Sequence, residues 1–119
     1  MSESPLYKSI PIVATKLGHR MWRNEIGVAK YKSKTGDIYH VPYGIPGPGG
    51  SDLLGYTMYT ITAADVGKSL PIFTGAECKW KGKKARDNQQ KFIDHILSVG
   101  GYAGTVRSDE DYLKLIGAA

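Results

Sequence analysis

Between Gly44 and Gly50 the chain reads Gly-Ile-Pro-Gly-Pro-Gly-Gly, four glycines and two prolines in seven positions. No helix or strand runs through such a stretch, because proline removes backbone donors and glycine loses the most conformational freedom on ordering. Every regular element must therefore stop before this loop or start after it. With 43 residues ahead of it and 69 behind it, neither flank reaches the size of an ordinary domain, so the loop is expected to lie within one domain spanning 1–119. No internal repeat or low-complexity segment alters that expectation.

Apolar residues at 41% and charged residues at 23% provide enough material for a core and too little net charge, +5, to keep the chain disordered. The sole cysteine, Cys78, can form neither an internal disulfide nor a cysteine zinc site, which favours a reducing compartment. No run of apolar residues is long enough to span a bilayer, and Met1 to Ile10 lack the charged-then-apolar order of a signal peptide. A cytoplasmic protein without membrane partners is the expectation, and the positive excess suits a polyanion.

Leu6, Ile10, Val13 and Leu17 recur at helical spacing and predict a helix that ends at Gly18. Two starts are open. Ser4 with Pro5 resembles a cap and first turn but leaves Pro11 inside the helix, whereas a start near Ser9 puts Pro11 in the first turn. Strands are expected at Arg20 to Asn24, Val28 to Lys32 and Ile38 to Tyr43, then at Asp52 to Ile61 and Ser69 to Trp80, the last two as long central strands. A helix carrying Phe92, Ile93, Ile96 and Leu97 should close at Gly100-Gly101, with a strand at Tyr102 to Val106 and a last helix capped by Ser108. Consecutive strands favour an antiparallel meander and the late helix a parallel crossover, so the expected class is α/β, a mixed central β-sheet flanked by helices.

Alternation along Leu70 to Trp80 places Glu77 and Lys79 on one face and Ile72, Ala76, Cys78 and Trp80 on the other. A Glu-x-Lys pair on a strand is ordinarily a solvated ion pair. Asp52, however, directly follows the glycine loop and opens the preceding strand; pairing of those two strands would bring its carboxylate to that of Glu77. Converging carboxylates repel unless they share a proton or a cation, and oxygen donors suit Mg²⁺ or Mn²⁺. An adjacent lysine can orient water and offset charge developing on phosphate, which describes metal-assisted phosphodiester hydrolysis. Gln89 lies three and four residues before Phe92 and Ile93, on the apolar helix face, where its amide either bonds to backbone or reaches this cluster.

Gly49 to Gly55, Ala76-Glu77-Cys78-Lys79, Gln89 to Ile93, Gly100 to Gly104 and Val106-Arg107-Ser108, with Gly18, Trp22-Arg23-Asn24 and Gly27 upstream, together resemble the stand-alone virus-type replication-repair nuclease (VRR-NUC) domain. The resemblance covers nearly the whole chain. It implies a restriction-endonuclease-like PD-(D/E)XK core with Asp52, Glu77 and Lys79 as its aspartate, glutamate and lysine, and with Ser51 where the superfamily has proline. It further implies Mg²⁺ or Mn²⁺ held by Asp52 and Glu77, with the backbone carbonyl of Cys78 and a first-helix glutamate, for which Glu3 is the candidate. Gln89 matches the family's glutamine, and Gln90 would replace it were the register shifted by one.

Lys81, Lys83, Lys84 and Arg86 cluster after Lys79, and Arg20 and Arg23 lie upstream. Such a turn is either a solvated loop or a track for DNA phosphates. Gly47-Pro48-Gly49 completes neither G-x-G-x-x-G nor a Gly-Lys-Ser/Thr loop, so no nucleotide cofactor is expected, and His19, His40 and His95 lack ligand spacing. The resemblance implies a DNA endonuclease of phage or prophage origin, acting in a bacterial cytoplasm as a homodimer on branched DNA such as Holliday junctions. The alternative is a DNA-binding module that keeps the fold without cleaving.

Overall fold

The computed structural model of the protein describes residues 4–46 and 49–118. The element order is α1 (Ser4–Lys16), β1 (Arg20–Arg23), β2 (Gly27–Lys32), β3 (Ile38–Tyr43), β4 (Leu53–Tyr56), a 3-10 turn (Ala63–Asp65), β5 (Thr74–Cys78), α2 (Asp87–Ser98), β6 (Tyr102–Val106) and α3 (Asp109–Leu115). This is a mixed α/β chain whose contacts divide it into two compact units, 1–62 and 63–119. The glycine-proline loop falls inside the first unit; its Gly47 and Pro48 lie outside the described residues.

In the first unit α1 begins by Ser4 and runs through Pro11, the earlier of the two starts that the sequence leaves open. The inward face differs from the expected stripe. Ala14 is buried and Tyr7 and Pro11 half-buried, while Leu6, Ile10, Val13 and Leu17 are exposed. The packed face is rotated by one residue, toward small and flat side chains that let the helix approach β1 closely. β1 pairs antiparallel with β4, Met21 opposite Gly55, and a Cβ at Gly55 would collide with the Arg20 carbonyl. Trp22 and Tyr56 make an edge contact across this ladder, ring centroids 5.8 Å apart. The expected strand from Asp52 to Ile61 thus shrinks to four residues, because only Leu53–Tyr56 finds a partner.

β2 and β3 form a second antiparallel ladder, Gly27 opposite Tyr43 through Lys32 opposite Ile38. Their ends match the expectation within a residue. The turn between them is closed by Ser33, whose N–H donates to the Asp37 carbonyl at 2.8 Å, and Gly36 takes φ +89°. This is the three-residue hairpin loop that needs a left-handed residue at its end.

In the second unit β5 and β6 pair parallel, Thr74 opposite Tyr102 through Cys78 opposite Val106, with α2 as the crossover. The inferred parallel crossover is therefore present, but the described strands form three separate two-stranded ladders rather than one central sheet. β5 is also shorter than expected. Residues 69–73 belong to the expected strand, yet Asp65 ends a 3-10 turn, buried and ion-paired to Lys68 at 3.0 Å, and the ladder starts only at Thr74. α2 packs against β5 and β6, and α3 packs on β6, where Gly104 leaves room for Leu115. Ile93, Ile96, Ala103 and Val106 form the small core, with Ile96 fully buried.

All three helices end alike. After α2, Gly100 takes φ +90°, its N–H reaches the Leu97 carbonyl at 3.1 Å, and the Gly101 N–H reaches Ile96 at 2.9 Å. Gly18 and Gly117 repeat this Schellman pattern after α1 and α3. Ser108 caps α3 by accepting from the Asp111 N–H at 3.1 Å, as expected; Asp111 returns a bond to the N–H of Arg107, one residue earlier than a capping box would place it.

Candidate active site

Along β5 the half-buried residues are Phe73, Gly75, Glu77 and Lys79, and the exposed ones Ile72, Thr74, Ala76, Cys78 and Trp80. The alternation expected from sequence holds. Which side is covered is the informative point: the face carrying Glu77 and Lys79 turns toward α2, where Phe73 lies against Phe92 at 6.4 Å between centroids. Gly75 keeps this approach open, since a Cβ there would stand 3.4 Å from the Phe92 ring. The outer face is apolar and exposed, Trp80 at 86%, because α3 packs on β6.

A pocket of about 250 Å³ opens between β5 and α2, lined by Gly75, Ala76, Glu77, Asn88, Gln89, Phe92 and Ile93. Lys79 Nζ stands 3.7 Å from Glu77 Oε1, with both side chains mostly covered, at 19% and 31% exposed. The pair thus combines the ordinary strand ion pair with a position beside a cavity.

Gln89 reaches this pocket and also caps its own helix, its Oε1 accepting from the Arg86 N–H at 2.8 Å. The backbone bond is the alternative realised for its amide. Gln90 is exposed and donates instead to Asp94 at 2.9 Å. The oxygen donors around the pocket are the Glu77 carboxylate and the amide oxygens of Asn88 and Gln89, each keeping a further lone pair. Hard oxygen donors of this kind fit Mg²⁺ or Mn²⁺ rather than a softer ion. Among the described residues no three His, Cys, Asp or Glu gather as a metal cluster.

Asp52 belongs to the first unit, exposed at the start of β4. The strand pairing expected to carry it to Glu77 is not among the described ladders: β4 pairs with β1 and β5 with β6. What holds Asp52 is Asn24. The Asn24 N–H donates to the Asp52 carbonyl at 2.8 Å, its side-chain amide donates to Ser51 at 2.9 Å and Ile45 at 2.7 Å, and its Oδ1 accepts from the Ile45 N–H. One side chain therefore clamps both ends of the glycine-proline loop. Gly50 permits it, since a Cβ there would strike the Ile45 carbonyl. Asn24 and Asn88 are the two residues that sequence reasoning gave no role. Asn24 carries an amide with two donors and an acceptor, but the loop it clamps lies 21 residues further along the chain, so no local signal announces the contact.

Cys78 ends β5 opposite Val106 with an exposed free thiol. Glu3 lies outside the described residues. Lys81, Lys83 and Lys84 are exposed around a turn at Gly82, and the Arg107 guanidinium donates to the Lys83 carbonyl and pins that turn. Arg86 is the exposed residue preceding α2. Arg20 is exposed on β1, whereas Arg23 is engaged, its guanidinium 3.6 Å over the Tyr7 ring and 3.8 Å from Glu25. His19 has a structural task, its Nδ1 accepting from the Met58 N–H at 2.9 Å. No helix among the described residues is long and apolar enough to cross a membrane. Comparison with protein-family models, curated proteins and solved structures returns no match.

Proposed function

We propose that the chain is a Mg²⁺- or Mn²⁺-dependent DNA endonuclease of the restriction-endonuclease-like PD-(D/E)XK kind, in the line of the VRR-NUC domain it resembles. The observation that carries this reading is the Glu77 and Lys79 pair on the covered face of β5, beside a pocket that Gln89 also lines. A merely solvated pair would sit on the outer face, which here holds Cys78 and Trp80.

In this reading Glu77 supplies carboxylate oxygens to the cation, and the resemblance assigns the further donors to Asp52, the Cys78 backbone carbonyl and Glu3. The bound cation would make its water a stronger nucleophile and draw charge from the phosphate. Lys79 orients the attacking water and offsets negative charge on the phosphate oxygens as the new phosphorus–oxygen bond forms and the bond to one sugar breaks. Gln89 fixes the mouth of the pocket by tying its own amide to the start of α2. Lys81, Lys83, Lys84 and Arg86, with Arg20, offer cations to DNA phosphates; Arg23 would have to leave Tyr7 to join them.

Branched DNA such as a Holliday junction as substrate, a homodimer as the working form, and a phage or prophage origin in a bacterial cytoplasm follow from the resemblance. A junction offers two related strands, and two chains carry two sites. The test is cleavage of labelled four-way junctions and linear duplexes with Mg²⁺, alongside sedimentation to find whether the particle is near twice the 13.0 kDa chain. Wild type should cut, and Asp52→Asn and Glu77→Gln should each abolish cutting while still binding DNA. Wild-type binding without any cleavage would instead establish the non-cleaving module; full turnover by both variants would refute the assigned site.

A further inference from the structure

The β2–β3 hairpin takes no part in the site described above. In an antiparallel ladder opposite residues share a face, so one face presents Ala29 with Val41 and Tyr31 with Tyr39, and the other presents Lys30 with His40 and Lys32 with Ile38. Both faces are open. Tyr31 and Tyr39 are 50% and 49% exposed, and Lys30, Lys32 and His40 are exposed behind them. The tyrosine rings stack on one another, centroids 5.5 Å apart at 23°, so each turns one face to its partner and leaves the other, with its edge, to solvent.

The charge on this element is of one sign. Lys30, Lys32 and, in the turn, Lys34 make no ion pair among the described residues. The only acid of the hairpin, Asp37, is folded into the turn, where it accepts from the Thr35 hydroxyl at 3.0 Å. A two-stranded ribbon this exposed gains little from its own packing. Lys30, Tyr31 and Lys32 alternate along β2, whose outer edge pairs with no described strand, so a polynucleotide lying over that edge meets cations on one side for its phosphates and a tyrosine ring on the other for a base.

We propose that the β2–β3 hairpin is a binding ribbon for single-stranded nucleic acid, in which Lys30 and Lys32 hold backbone phosphates and the Tyr31–Tyr39 stack is a platform for an unpaired base. The inference rests on the nuclease reading only for DNA as the natural polymer, and it adds a surface that accepts unpaired nucleotides such as those exposed at a branch point.

The test is titration of the full chain, in EDTA so that nothing is cut, against a fluorescein-labelled single-stranded oligonucleotide and its 2-aminopurine counterpart, in DNA and RNA forms. Tyr31→Ala with Tyr39→Ala should weaken binding about tenfold or more and lose 2-aminopurine quenching. Tyr31→Phe with Tyr39→Phe should keep both, which separates stacking from a fold defect. Lys30→Ala with Lys32→Ala should lower the slope of log affinity against log salt by roughly 1.4, about 0.7 for each contact. Wild-type affinity, slope and quenching in the alanine variants would overturn the proposal, as would a wild type that binds no oligonucleotide. A dimer split by the tyrosine-to-alanine pair with strand affinity unchanged would assign the face to a second copy and overturn it too. Cleavage in Mg²⁺ is scored separately: binding through the hairpin without cutting sinks the nuclease reading alone, and cutting with hairpin-independent binding sinks this one alone.

Discussion

The β2–β3 hairpin and the β5–α2–β6 unit are both two-stranded ladders, yet every residue of β3 is exposed while β5 hides alternate residues beneath a helix. Connection explains the difference. An antiparallel pair needs only a tight turn, here Ser33 to Asp37, whereas a parallel pair needs a crossover, and the crossover helix then covers one face. Polar side chains consequently differ in character between the two. Lys79 is held beside Glu77 in a partly covered place where charge acts strongly, and Lys30 and Lys32 stand in water, suited to contact rather than chemistry.

The largest effect expected from this contrast is kinetic. Lys79→Ala should lower the turnover rate at saturating DNA by about 10²- to 10³-fold, the scale of losing one donor aimed at developing charge. Lys30→Ala with Lys32→Ala should instead raise the DNA concentration required and keep most of the saturated rate. Steady-state kinetics on a junction substrate measure both, and equal losses of saturated rate would erase the distinction.

Stability offers the next comparison. Ile96 is fully buried and Val41 is 42% exposed. Ile96→Ala should cost about 2–5 kcal/mol and Val41→Ala about 1 kcal/mol or less, measured by urea unfolding. A large loss at Val41 would show that the hairpin's aromatic face is packed in solution.

The smallest effect sharpens the contrast between two sets of cations. Replacing Lys81, Lys83 and Lys84 together by Ala should flatten the salt dependence of duplex binding by roughly 0.9 per lost contact and leave 2-aminopurine quenching at the hairpin intact. An unchanged slope would make that turn a solvated loop.

Local signals were the ones the amino-acid sequence made readable. The ends of β2, β3 and β6, the Ser108 cap and the stop at Gly100 all follow from neighbours within a few residues. The alternation that sets Glu77 and Lys79 on one face also needs nothing beyond the strand itself. Composition overstates strand length at β4 and β5, because β-branched and aromatic residues such as Tyr59, Thr60 and Ile61 or Ile72 and Phe73 say only that a segment can be extended, while a ladder also requires a partner in register. α1 failed differently. Hydrophobicity pointed to Leu6, Ile10, Val13 and Leu17, but close approach to β1 selects the neighbouring face with Ala14. The pairing between the strands of Asp52 and Glu77 is a long-range property with no local signature, and the described ladders join each strand to another partner.

The glycine stop after α2 also fixes how length changes are tolerated. Gly101 donates to Ile96 in the helix, and the very next residue, Tyr102, donates to the Phe73 carbonyl beside β5. No slack separates the helix from the strand. One residue inserted there would turn β6 over, carrying Ala103 to the α3 side and Gly104 to the α2 side, and would set a methyl 3.0 Å from Leu115 Cδ1, which would have to shift. The Ser33 to Asp37 turn, exposed except at half-buried Ser33 and followed by no packed element, can lengthen with little consequence. Evolutionary or engineered insertions should therefore accumulate at the tip of the hairpin and be purged from the junction after α2.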